Sequence, residues 1–223
     1  MSQLQQRRQE EKERRRNEIL DAAEAVFARV GPGSATMDQV ARRARLSRAL
    51  LYVYFEDKGD VLMGVCERGL NELRERFVAA AAAHRRGVDR IQAIGAAYVQ
   101  FSQDRPVHFD ALARFESIEP DPERYNSQHG CIAAGDAIID FLVETLEAGI
   151  ADGSIRKDIG DRRLTATTLW GFMHGILQLT ITKKNMLAHD GVKPDRLLRH
   201  ALEMASHSIA ASLRVARSPG RRG

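Results

Sequence analysis

Between Thr36 and Phe55 the chain carries Arg42, Arg43, Arg45 and Arg48 against a single acid, Asp38. The hydroxyls of Thr36, Ser47, Tyr52 and Tyr54 are interleaved with them, and Lys58 follows closely. What such a group can do is donate. Guanidinium, ammonium and hydroxyl donors on one short segment match phosphate oxygens and the acceptor edges of bases. The formal charge of the 223-residue chain is only +4; spread evenly it would give weak, unspecific attraction. Concentrated in this segment, it is the electrostatic footprint of a polyanion site.

Donors of this kind must be held on rigid elements. Thr36 precedes Met37-Asp38-Gln39 as a capping box, in which the threonine oxygen accepts from a first-turn amide while Gln39 reaches back. This predicts a helix running to about Ala44. Ser47 is an N-cap for a second short helix over Arg48-Ala49-Leu50-Leu51-Tyr52-Val53-Tyr54-Phe55. Val40, Ala41, Ala44, Leu46, Leu51 and Phe55 can be buried together, which leaves Arg42, Arg43, Arg45, Arg48, Tyr52 and Tyr54 outside. Ahead of them Ile19, Leu20, Ala23, Val26, Phe27 and Val30 mark one face of a first helix that stops at Gly31-Pro32-Gly33. Three helices with a tight turn between the last two form a helix-turn-helix, whose final helix enters the major groove while its predecessor crosses the backbone.

The stretch Ala35-Thr36-Met37-Asp38-Gln39-Val40-Ala41, followed by Ala44 to Lys58 with its Tyr52-Val53-Tyr54-Phe55, resembles the N-terminal motif of the TetR family of bacterial transcriptional regulators. The resemblance is specific over about residues 16–65. It implies that Thr36, Tyr54 and Lys58 position the DNA backbone, that Arg48 reads a base, and that Tyr52 lies between those roles. Two positions depart from the pattern. Arg45 stands where the turn usually has glycine; it could adopt the turn under strain and add a phosphate contact. Leu50 stands where a threonine is usual, so it either contacts a thymine methyl or packs inward. The expected DNA-binding set is Thr36, Arg45, Ser47, Arg48, Tyr52, Tyr54 and Lys58.

The remainder reads as helix throughout. A fourth helix starts at Asp57-Lys58 and ends near Ala83, and further patterns cover about 88–103, 105–117, 127–151, 161–185 and 194–215. No alternating strand run with hairpin turns interrupts them, so the fold class is all-α. The expected organisation is a mobile or fraying arm over 1–15, a helix-turn-helix domain over 16–62, a larger helical effector-binding and dimerisation domain over 63–215, and a disordered tail over 216–223. Phe101, Phe109, Phe115, Trp170, Met173 and His174 are suited to lining a ligand pocket, and would serve equally as plain core. Leu164, Thr168, Leu169, Phe172, Ile176 and Leu179, with Leu197, Leu198, Ala201, Leu202, Ala205 and Ile209, give the last two long helices apolar faces. The resemblance implies a homodimer bundle built from these helices and a small, largely apolar effector; operator palindromy would follow from the dimer's two-fold axis.

Other chemistries find little support. Nucleophile elbow, phosphate loop, metal helix and paired carboxylates are all missing from the sequence, so neither an enzyme nor a cofactor is expected. Asp104 with His108, and His200 with His207, do not make a compact ligand set for a metal. Cys66 and Cys131 are too far apart in sequence to suggest a disulfide framework, which points to a reducing cytoplasm. No run approaches the roughly 18 apolar residues of a membrane span. The aromatic fraction of 6% argues against a base-stacking single-strand binder. The remaining alternative is an architectural DNA binder, indifferent to sequence and to small molecules.

Overall fold

The protein is described from a computed structural model, which covers residues 3–115 and 126–211. Its elements are α1 (Gln3–Ser34), α2 (Met37–Ala44), α3 (Arg48–Tyr54), α4 (Lys58–Ala82), α5 (Gly87–Asp104), α6 (Pro106–Phe115), α7 (Asn126–Ala151), α8 (Arg162–Thr182), α9 (Lys184–His189) and α10 (Pro194–Ile209). Among the described residues the only strand-like pairing is an isolated bridge between Ile155 and Ala210. None of these helices is long and apolar enough to cross a membrane.

Local chemistry sets the boundaries. The first turns of α1 have almost no apolar residue, and i,i+4 pairs hold them instead: Gln6 Nε2 donates to Glu10 at 3.2 Å and Gln9 Nε2 to Glu13 at 2.8 Å. The helix breaks at Gly31, whose φ of 76° and ψ of 153° suit only glycine, and Pro32 lies in the short turn that follows. Asp57 Oδ1 accepts from the Asp60 amide at 3.0 Å where α4 begins. The helical pattern over 161–185 is divided at Lys183, where φ −117° and ψ 31° separate α8 from α9. Of the terminal segments, residues 216–223 lie outside the described residues.

The chain forms two compact units. One is Met1–Arg76 with Gln100–Ile138; the other is Phe77–Val99 with Ile139–Gly223. In the first, Ile19, Leu20, Ala23, Val26 and Phe27 of α1 are buried together with Val40 and Ala41 of α2, Leu51 and Phe55 beside α3, and Val61 and Val65 of α4. Fully burying an aliphatic side chain of this size contributes about 2 kcal/mol. Polar staples fix the order of packing. Arg68 of α4 donates to Asp21 at 2.6 Å, to Glu24 at 2.7 Å and to Asn17 of α1, while Arg16 reaches Glu67 at 2.9 Å and Ser127 at 3.2 Å. Cys66 and Cys131, distant in sequence, meet in this core with Sγ atoms 2.9 Å apart. Sequence separation was therefore a poor guide to their proximity: both lie on buried helix faces, α4 and α7, that pack together.

In the second unit α8 packs against α9 and α10. Gly87 at the start of α5 approaches Gly149 of α7 so closely that a Cβ at Gly87 would collide with the Gly149 backbone. Asp152 Oδ2 accepts from the Gly87 amide at 2.7 Å and Ser154 Oγ from that of Val88 at 3.1 Å, capping α5 from outside its own sequence.

Candidate nucleic-acid interface and apolar cavity

The turn from α2 to α3 is built from its caps. Thr36 Oγ1 accepts from the Gln39 amide at 3.3 Å and Gln39 Oε1 accepts from the Thr36 amide at 3.0 Å, the reciprocal box that starts α2. Ser47 Oγ accepts from the Leu50 amide at 3.1 Å and starts α3. Both hydroxyls keep their own proton to donate outward. Between them Arg45 takes φ 57° and ψ 38°, the one non-glycine residue with positive φ among those described, and its side chain is exposed. Its amide caps α2 by donating to the carbonyls of Ala41 and Arg42.

Arg42, Arg43, Arg45, Ser47, Arg48 and Tyr52 are exposed, and Tyr54 is half-buried. Arg48 does not stand free in the unbound chain. Its Nη1 lies 3.3 Å from Asp38 Oδ1, its Nη2 donates to Tyr52 Oη at 3.4 Å, and its guanidinium sits 5.6 Å from the Tyr52 ring centroid. Lys58 Nζ donates to the Gly33 carbonyl at 2.8 Å, which leaves two of its three protons. Of the residues expected inside, Val40, Ala41, Leu51 and Phe55 are buried, whereas Ala44 and Leu46 are only half-covered. Leu50 does not pack inward: it is 38% exposed. Val53 was not singled out from the sequence, and it is 71% exposed. Its position three after Leu50 and four after Ala49, opposite Leu51 and Phe55, was the available signal.

The second unit contains an apolar cavity lined by Phe77, Ile91, Ile94, Gly95, Tyr98, Leu142, Leu169, Trp170, Met173, Leu202 and Ala205, with Gln92 and Ser206 as polar members. Trp170 and Met173 are thus at the wall. His174 is behind it, its Nδ1 2.6 Å from Tyr98 Oη and its ring stacked on Trp170 at a centroid distance of 5.3 Å. Burial pushes the His174 pKa below its usual 6.5, so the imidazole is neutral at pH 7. Phe101 and Phe109 do not line this cavity. They belong to the first unit, where both are buried and the Arg76 guanidinium lies 5.5 Å from the Phe101 ring. Phe115 closes α6, and its side chain lies outside the described residues. Tyr98 was missed because a single tyrosine in an apolar helix reads as core until its hydroxyl partner is seen.

Comparison with known proteins accounts for most of the chain. Residues 19–64 match the family described as "Bacterial regulatory proteins, tetR family", and residues 91–205 match "Tetracyclin repressor-like, C-terminal domain". The chain belongs to the TetR family. Like other TetR-type proteins it is a DNA-binding transcriptional regulator, and its helix-turn-helix is the part spanned by the first match. Among relatives of this TetR protein, the HTH-type transcriptional regulator SrpR of Pseudomonas putida is 23% identical over 180 residues, 80% of each chain. Among solved structures, the transcriptional regulator FadR from Bacillus subtilis in complex with stearoyl-CoA has a TM-score of 0.63 and 17% identity, covering 85% of this chain and 96% of that one. AibR in complex with isovaleryl coenzyme A and operator DNA has a TM-score of 0.62 and 18% identity, covering 85% and 97%. Such similarities establish the TetR fold.

Proposed function

We propose that the protein is a homodimeric repressor that holds a palindromic operator and releases it when a largely apolar ligand, of the acyl-thioester class, occupies the cavity of the second unit. The observation that carries this reading is the cavity itself. Its wall is almost wholly apolar, it has one buried hydroxyl–imidazole pair beside it, and Phe77 in its wall belongs to the same unbroken 25-residue helix that begins with Lys58. Two neighbours of the same fold were solved with acyl-CoA molecules, one of them also with operator DNA. The cavity volume of about 40 Å³ exceeds what one water needs and falls short of an acyl chain. Binding therefore requires side chains around it to move, and release of the operator follows where the rearranged state holds DNA less tightly, which is the differential affinity that allostery demands.

Dimerisation is supported by what α8 and α10 leave uncovered. Leu164 is 68% exposed and Met204 51% exposed, and Thr168, Gly171 and Gly175 are exposed on the same helix as Leu164. Two recognition helices about 34–36 Å apart would then read successive major grooves. In the DNA-bound state we assign phosphate contacts to Thr36, Arg45, Ser47, Tyr54 and Lys58, with Arg48 and Tyr52 at the groove. As domains, 16–62 holds DNA and 63–215 carries the ligand and the dimer.

The test is selection of bound duplexes from a random pool at physiological salt, followed by titration of acyl-CoAs from isovaleryl to stearoyl into the protein–operator complex. Enrichment of a palindrome and its release by one chain length are the expected results. Retention of DNA without sequence enrichment would instead favour an architectural binder. Operator affinity unchanged at saturating ligand would overturn release as the mechanism.

A further inference from the structure

The outer face of α3 is apolar where solvent or phosphate alone would favour polar residues. Ala49, Leu50 and Val53 lie at i, i+1 and i+4 of a seven-residue helix and are all exposed, opposite the buried Leu51 and Phe55. Val53, at 71%, is the most exposed large apolar residue among those described. A β-branched residue is a poor helix former, and Val53 is left largely in solvent, so burial gives the fold little use for it. Arg42, Arg43, Arg45 and Arg48, which precede this face in the chain, are all exposed, and their charge fits a polyanion and disfavours an ordinary apolar protein partner. Arg48, the residue expected to read a base, has its fork engaged by Asp38 and Tyr52.

We infer that Leu50 and Val53 are specificity determinants that read the C5-methyl groups of thymines in the operator half-site. This rests on the reading that α3 enters the major groove. There the thymine methyl is the one apolar feature a standard base pair presents, while the neighbouring edges are donors and acceptors. An isobutyl or isopropyl group gains by covering that methyl. Against a cytosine amino group it gains nothing and strips the donor of water. Discrimination thus comes from both an attraction and a penalty, without any hydrogen bond from the reading side chains.

The experiment uses the full-length protein and the duplex recovered by selection from a random pool. Each enriched thymine is replaced by deoxyuracil, which deletes the methyl and keeps the pairing. Uracil at the contacted step should weaken binding about fourfold per methyl, and on the order of fifteenfold for both half-sites together. Val53→Ala should lower affinity for the thymine duplex and abolish its advantage over the uracil duplex; Leu50→Ala should do the same at a neighbouring step. Because Val53 is exposed and alanine is the better helix former, the thermal melt of Val53→Ala should be no lower than that of the parent, separating recognition from folding. A selected operator whose affinity is unchanged by uracil at every thymine, or a uracil effect that persists undiminished in both variants, overturns the inference while leaving DNA binding intact. Failure to enrich any duplex would instead overturn the reading on which it rests.

Discussion

Arg45 holds its left-handed backbone without the freedom of glycine, and for an ordinary L-residue that conformation costs roughly 1–2 kcal/mol. Arg45→Gly is expected to raise stability by about 1 kcal/mol in a thermal melt, because relief of strain outweighs the added freedom of the unfolded chain. If the guanidinium touches phosphate, the same variant should bind operator more weakly and with a salt slope shallower by about one unit. The two readouts moving in opposite directions is the signature; parallel movement would remove Arg45 from the interface. His174 supports a pH prediction. Its folded-state pKa is depressed by burial, so below the ordinary value of 6.5 the unfolded chain binds the proton more readily than the folded one. Stability attached to this group is therefore fully present above about pH 7.5 and declines as pH falls through 6.5. His174→Asn should flatten that part of a melting-temperature profile between pH 7.5 and 5.5, and an unchanged slope would assign the effect to other groups.

At the scale of elements, α4 has to accept α1 and α3 at close range. A Cβ at Gly64 would stand 2.9 Å from Leu20 Cδ2 and 3.2 Å from Phe55 Cε1. Gly64→Val should cost about 1–3 kcal/mol through overpacking, and chemical denaturation would measure it. Operator binding should fall with it as Phe55 is pushed from its place behind α3. Much of this layer was legible beforehand because capping and breaking residues act locally: Thr36 with Gln39, Ser47, and Gly31-Pro32 set helix ends through bonds within a few residues. The face of α3 turned to solvent also follows from helical spacing. What spacing does not carry is the identity of the neighbour. Phe101 and Trp170 each read as apolar helix positions, yet they serve different units, and nothing local distinguishes them. The Cys66–Cys131 contact and the Tyr98–His174 bond were hidden for the same reason, since each joins helices far apart in the chain. Arg48 was legible as a donor, but not its engagement with Asp38, which depends on the angle between α2 and α3.

For the whole molecule, the uncovered sides of α8 and α10 make assembly the property to test. Leu164→Arg or Met204→Glu should leave the helical signal unchanged and shift sedimentation to a single chain of 24.9 kDa. Operator affinity should drop by more than roughly tenfold, since one recognition helix then contacts one half-site. A variant that stays dimeric would move the interface elsewhere. The division into units has a separate consequence. It falls at Arg76 and Phe77 within α4, at Val99 and Gln100 within α5, and at Ile138 and Ile139 within α7. No loop marks the border. A biosensor engineer who cuts once after residue 62 therefore leaves α6 and the first half of α7, which belong to the same compact unit as the DNA reader, with the other part. Chimeras with a foreign sensing half would need three joints, each spliced inside a helix with its turn phase preserved, so that portability here is a matter of helical register and not of linker length.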